Sequence, residues 1–195
     1  MMIVCVGDWV LFDESLRLHR HLDRQSLFQR KAPGSKVDTQ LIVANIDSVM
    51  IVCSFNYDFN LSRIERYLAV AREAQVDPII VLTKADQCDD VEAKRHQVQA
   101  LDSLMLVHAI NALDPIHLQE LEGYCQHGKT LALLGSSAVG KSTLVNGLMG
   151  FETQQTAAVR EDDSKGRHTT TFRSLKWLPS RRCVNGHVWD EGASA

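Results

Sequence analysis

Leu131-Ala132-Leu133-Leu134-Gly135-Ser136-Ser137-Ala138-Val139-Gly140-Lys141-Ser142-Thr143 is the stretch on which the fold turns. A short, continuously apolar run opens into G-x-x-x-x-G-K-[ST], and a helical pattern from Lys141 to Met149 follows. Gly135 and Gly140 let the backbone curl so that the N–H groups of Ser136, Ser137, Ala138 and Val139 point inward, toward phosphate oxygens. The helix that begins near Lys141 adds the positive end of its dipole. The Lys141 ammonium is long enough to reach β- and γ-phosphates, and the Ser142 hydroxyl is placed as a Mg²⁺ ligand. A strand before and a helix after form the context this motif requires. By itself it indicates a nucleoside triphosphate and does not say which base.

Working outward, the same short apolar texture recurs. Val49–Cys53, Ile79–Leu82 and Leu104–Val107 are continuously apolar, as expected of strands covered on both faces of a parallel sheet. Helical patterns lie between them. Asn60 is an N-cap, with Ile64, Tyr67, Leu68 and Ala71 on one helical stripe. Asp89 or Asp90 caps a helix running through Leu101. Asp114-Pro115 opens Ile116 to Tyr124, and Gly150 stops the helix after the phosphate motif. Strands alternating with helices predict an α/β fold with helices on both sheet faces.

About fifty residues before the phosphate motif, at the end of an apolar run, stands Thr83-Lys84-Ala85-Asp86. It fits [NT]-K-x-D, a guanine-reading pattern. The Asp86 carboxylate can accept from guanine N1–H and the exocyclic amine, and adenine offers no such donor pair. The Lys84 stem can lie along the base. Thr83 stands where an asparagine is usual, which removes an amide that braces the loop. Asn111-Ala112, after the next strand, resembles the Ser-Ala that completes a guanine pocket but departs at its first position. Downstream of the phosphate motif, Gly166-Arg167-His168-Thr169-Thr170-Thr171 follows a polar, loop-like stretch. A switch loop needs a threonine that senses Mg²⁺ and the γ-phosphate, and Thr169 and Thr170 are the candidates, Thr170 as the metal ligand. A P-loop ATPase or kinase is a competing class, and Asp86 in its loop argues against it.

The bulk of the chain is unremarkable: 195 residues, 45% hydrophobic, 23% charged, net charge −3. No apolar run approaches the ~20 residues of a membrane span, and no signal peptide is evident at the start. Five scattered cysteines without a C-x-x-C pair read as reduced thiols of a cytoplasmic protein. Residues 1–40 have a different texture. Val6 to Phe12 alternates like a strand, and Arg17, His19, Arg20, His21, Arg24, Arg30, Lys31 and Lys36 cluster nearby. Two readings stay open: a solvated β surface, or a contact with a nucleic-acid phosphate backbone.

The base motif precedes the phosphate motif, the reverse of the usual order. Together with VGDWV, LIVANIDSVMIV, Asp58-Phe59-Asn60-Leu61 followed by RIERYL, VLTKAD, LLGSSAVGKSTLVNGL and VREDDSKGRHTTT, this order resembles the circularly permuted GTPases that mature the small ribosomal subunit, the RsgA/YjeQ family. The resemblance covers about Val6 to Pro179. It implies a P-loop GTPase sheet, circularly permuted, over residues 41–179, preceded by a partial OB-fold segment over 1–40. It implies binding of GTP and GDP with Mg²⁺, slow GTP hydrolysis, and a small ribosomal subunit and its rRNA as partners of a monomeric protein. The family lacks a switch glutamine, and His168 is the candidate to position the attacking water.

Two departures qualify what is carried over. The family's zinc domain is not matched, and Cys183 with His187 is a pair rather than a four-ligand site, so zinc is not expected in this chain. Residues 180–195 also fail to match the family's D-T-P-G-M strand. Read one base later, the codon table permits GGVLMDTSGMRELQ across this stretch, so a frameshift near Ser180 is the expectation, with an unrelated tail as the rival. A poorly ordered segment after Pro179 and impaired turnover are the expected consequences.

Overall fold

The computed structural model describes residues 3–31, 39–56, 58–150, 174–179 and 184–190. Its centre is a six-stranded sheet. In chain order the contributing strands are β5 (Ser48–Ser54), β6 (Asp77–Thr83), β7 (Leu106–Ala109), β8 (Thr130–Leu134), β9 (Ser174–Pro179) and β10 (Val184–Asp190). They lie side by side as β7-β6-β5-β8-β10-β9. All neighbours are parallel except β9, which runs antiparallel to β10.

The continuously apolar strands are explained by cover on both faces. Met50 and Val52 of β5 pack with Leu118 and Leu121 of α3 (Pro115–Glu122) and with Leu144 and Val145 of α4 (Lys141–Met149). Ile51 and Cys53 point the other way, onto Ile64 and Leu68 of α1 (Leu61–Glu73) and Val98 of α2 (Val91–Gln99). The two-residue side-chain period of a strand divides one apolar run between two helical layers. Burial pushes the Cys53 thiol up to about 12, so it behaves as a small core hydrophobe.

Three of the expected helix-end signals hold. Asn60 accepts from the Arg63 N–H, Asp114 accepts from the Ile116 N–H with Pro115 opening α3, and Gly150 ends α4 in the left-handed region. Asp90 precedes α2 without capping it through its side chain. The third apolar run is displaced: β7 begins at Leu106, and Leu104 is 91% exposed. This strand is the sheet edge, where apolar side chains need not be covered.

Four short strands precede the sheet: β1 (Val10–Phe12), β2 (Leu18–His21), β3 (Leu27–Lys31) and β4 (Thr39–Ala44). They form two antiparallel hairpins, β1-β2 and β3-β4, which fit an OB-like segment. The expected boundary at residues 40 and 41 falls inside β4. Phe28, Ile42, Val43 and Ile46 pack with Val49, Ala71, Ala132 and Leu134, so the second hairpin shares a core with the central sheet.

After Pro179 the described residues form the strand β10. Its backbone pairs with β8 over His187–Asp190 and with β9 over Val184–Asp190. A strand there satisfies the N–H and C=O groups along the side of β8 that β5 leaves open. The switch residues His168, Thr169, Thr170 and Thr171, and Cys183, lie outside the described residues.

Candidate functional site: a phosphate loop tied to the base motif

Strand order locates the site before any side chain is considered. From β5 the chain moves through α1 to β6 and on to β7, away from β8. From β8 it enters α4, on the opposite face. The C-terminal ends of β5 and β8 therefore flank a topological switch point, where open α/β sheets bind ligands.

The loop leaving β8 fits a phosphate. Ala138 and Gly140 both have positive φ, 63° and 97°, separated by Val139, so the loop turns its amides inward. Gly135 is required by close approach: a Cβ there would lie 2.3 Å from the Val52 carbonyl oxygen of β5. The Lys141 Nζ is buried and donates to the carbonyl oxygens of Gly135 and Ser136, at 2.9 and 2.8 Å. The loop's own carbonyls hold the ammonium, so the loop is folded around a charge of the sign a phosphate requires. Ser142 and Thr143 occupy the first turn of α4, half-buried, with Ser142 at the position suited to a Mg²⁺ ligand.

The base motif reaches the same loop. Thr83, at the end of β6, is 1% exposed, and its Oγ1 lies 2.5 Å from the Val139 carbonyl oxygen and 3.2 Å from that of Cys53. One hydroxyl hydrogen serves one strong bond, and the shorter contact takes it. The brace expected to be lost with Thr83 in place of asparagine is thus supplied by a hydroxyl. Lys84 sits in the left-handed region (φ 61°) and donates from Nζ to the Ala138 carbonyl oxygen at 3.0 Å. Burial pushes the Lys84 ammonium down from its ordinary range. Asp86 lies exposed in the single 3₁₀ turn Ala85–Gln87, and the Ala85 N–H donates to the Ile110 carbonyl oxygen at 3.1 Å. That bond brings Asn111 and Ala112 alongside the base motif. The Asn111 Oδ1 accepts from the Leu113 N–H, so its side chain shapes its own turn.

The sequence reading missed a second set of contacts on the opposite flank of the loop. Arg63 of α1 donates from Nη1 to Ser136 Oγ at 2.8 Å and is paired with Asp58. Tyr67, one helical turn on, is near enough to Ser136 that the serine offsets part of the rise burial imposes on its phenol. Spacing on α1 puts Arg63 and Tyr67 on one face, a signal available in the sequence but without an indicated target.

The N-terminal cations are sorted by the fold. Arg24 donates from Nε and Nη2 to a wholly buried Asp8, at 2.7 and 2.9 Å, and His21 is 3.0 Å from the same carboxylate. Arg17 and Arg20 remain exposed. Among the described residues, no group of three or more His, Cys, Asp or Glu side chains is arranged to hold a metal, and no helix is long and apolar enough to cross a membrane.

Comparison with known proteins places the chain in a family and a fold. The family model described as RsgA GTPase matches residues 21–190. A protein of Vibrio parahaemolyticus named small ribosomal subunit biogenesis GTPase RsgA 2 is 59% identical over 175 residues, covering 90% of this chain and 49% of that protein. The similarly named RsgA of Mesorhizobium japonicum is 49% identical over 174 residues, covering 87% of this chain and 50% of its own length. The chain thus spans about half the length of the curated relatives it matches. YjeQ from Thermotoga maritima shares the fold with a TM-score of 0.68 at 22% identity, covering 98% of this chain and 62% of that one. YloQ, described as a circularly permuted GTPase, does so with a TM-score of 0.61 at 20% identity, covering 100% and 59%. With a family model spanning most of its length and relatives of this similarity, the chain belongs to the RsgA GTPase family.

Proposed function

We propose that this chain binds GTP and GDP at Gly135–Thr143, reads guanine with Thr83, Lys84 and Asp86 beside Asn111 and Ala112, and hydrolyses GTP to GDP and phosphate in late maturation of the small ribosomal subunit. The observation that carries the reading is the pair of hydrogen bonds from Thr83 and Lys84 to the Val139 and Ala138 carbonyls. They join a motif of guanine-reading pattern to the phosphate loop across about fifty residues of chain, and the Asp86 carboxylate of that motif suits the donor pair of guanine, which adenine lacks. Ser142 and Thr170 would hold Mg²⁺, which supplies positive charge at the β- and γ-phosphate oxygens. Lys141 adds a second charge there. His168 is proposed to orient the attacking water from the switch loop. The rRNA of the small subunit is the proposed partner of the N-terminal hairpins, with exposed Arg17 and Arg20 as the available cations and the protein acting as a cytoplasmic monomer. Names of the curated relatives support the small ribosomal subunit as the partner and do not mention rRNA.

A second reading, nucleotide binding without turnover, is favoured by one feature: β10 is followed by Glu191-Gly192-Ala193 where the family has its D-T-P-G-M run. Phosphate release measured with and without small ribosomal subunits separates the two. Stimulated release that is lost in His168→Ala at unchanged nucleotide affinity supports the first reading. Binding of GTP over ATP with no release supports the second, as does a D-T-S-G-M run in the neighbouring frame of the encoding DNA. Equal affinity for ATP and GTP overturns both.

A further inference from the structure

We propose that Arg63 is a positioning residue for the phosphate loop, acting through Ser136, with Asp58 holding its guanidinium in place. This rests on the nucleotide-binding reading above and adds to it a residue outside the sequence motifs. Ser136 is gripped from two directions. Its carbonyl oxygen accepts from the Lys141 Nζ at 2.8 Å, and its Oγ accepts from the Arg63 Nη1 at 2.8 Å. The two cations differ in what a nucleotide does to them. Lys141 must turn its charge toward the phosphates and loosen its hold on the Ser136 carbonyl. Arg63 faces the side of the loop nearer α1 and keeps its contact. It therefore becomes the main charged anchor of the loop's first turn at the moment the other is diverted.

Asp58 fits this arrangement. Its Oδ1 pairs with Arg63, and the turn that carries it is fixed by Asn56, whose Oδ1 accepts from the Ser54 Oγ at 2.6 Å and the Asp58 N–H at 3.2 Å. Its Oδ2 is buried without a hydrogen-bond partner among the described residues, and Lys84 lies within electrostatic reach. One carboxylate thus sits among the two side chains, Arg63 and Lys84, that touch the loop at Ser136 and at Ala138. An unpartnered buried carboxylate oxygen favours retention of nearby cations, which steadies both contacts.

Arg63 differs from a merely structural residue in when its contact matters. Its contribution is larger with nucleotide bound than without, so its loss weakens binding more than it weakens the ligand-free fold. The test uses the whole chain with Mg²⁺ and a fluorescent GDP, following dissociation by stopped flow, beside thermal melting without nucleotide. Arg63→Ala is expected to release GDP about tenfold faster, the scale of one hydrogen bond to a charged group. Arg63→Lys recovers part of this. Ser136→Ala is expected to give a similar increase, and the double variant no more than either alone, because both remove one contact. Additive effects in the double variant overturn the proposal. So does release that follows the ligand-free melting temperature in every variant, with Arg63→Lys as poor as Arg63→Ala. A wild-type chain that fails to bind GDP overturns the nucleotide reading itself, whereas wild-type binding left unchanged by Arg63→Ala overturns only this inference.

Discussion

Replacing Thr83 with valine removes a hydroxyl and conserves shape, so it isolates the contact between the base motif and the phosphate loop. Thr83 is 1% exposed and Val139 is fully buried, which leaves no route for water to take over the 2.5 Å bond to the Val139 carbonyl. A buried acceptor left unpaired costs about 1–3 kcal/mol. For a domain of this size each kcal/mol lowers the melting temperature by roughly 2–4 °C. Thr83→Val is therefore expected to melt roughly 2–12 °C lower without nucleotide, the product of those two ranges. Nucleotide should also dissociate faster, because the loop that holds the phosphates loses one of its two ties to the base motif and depends on Lys84 alone. Thr83→Ser retains the hydroxyl and should lie close to wild type in both measurements. The assay is paired thermal melting and GDP dissociation on the three proteins. If Thr83→Val melts within a degree of wild type, or Thr83→Ser is as impaired as Thr83→Val, the hydroxyl does not brace the loop and the reasoning fails.

Lys141→Ala is expected to abolish GTP and GDP binding in equilibrium titration, because the ammonium now seated on the Gly135 and Ser136 carbonyls is the charge a phosphate meets. Asp86→Asn should lower the ratio of GTP to ATP affinity by at least about tenfold, since an amide cannot accept from both guanine donors; an unchanged ratio removes Asp86 from the base site. The Asp8 cluster has a defined pH signature. Hydrogen bonds from Arg24 hold the Asp8 carboxyl well below the usual carboxylate range, with the backbone of Cys5 and the side chain of His21 assisting. A lowered folded-state pKa gives stability that is present above the unfolded value of about 3.9 and is lost as pH falls toward the folded one. The melting-temperature gap between wild type and Asp8→Asn should therefore narrow as the pH drops below about 4, and a gap that widens there contradicts the assignment.

What the sequence makes legible here is whatever is encoded locally. Asn60, Asp114 and Gly150 act on backbone groups a few residues away, so their effects can be read from spacing alone. The buried strands announce themselves because each needs apolar side chains on both faces. The phosphate loop is legible for the same reason: glycines, lysine and hydroxyl all serve one short turn. The strand β10 was not legible, since its place follows from the vacant side of β8 and not from the texture of Val184–Asp190, which contains Asn185 and Gly186.

Cations show the boundary most clearly. By composition Arg24 belongs with Arg17 and Arg20 as a candidate for a phosphate backbone, yet the fold spends its guanidinium on Asp8. Arg63 carries no motif at all, yet it reaches Ser136 across an interval of 73 residues. A charged side chain has the same local signature whether it is exposed, paired or directed at a loop. Only its partner distinguishes these states, and the partner is chosen by how the sheet brings β5 beside β8. For that reason the motif residues indicate a candidate phosphate site from sequence alone, whereas contacts around it such as that of Arg63 with Ser136 become identifiable only once strand order is known.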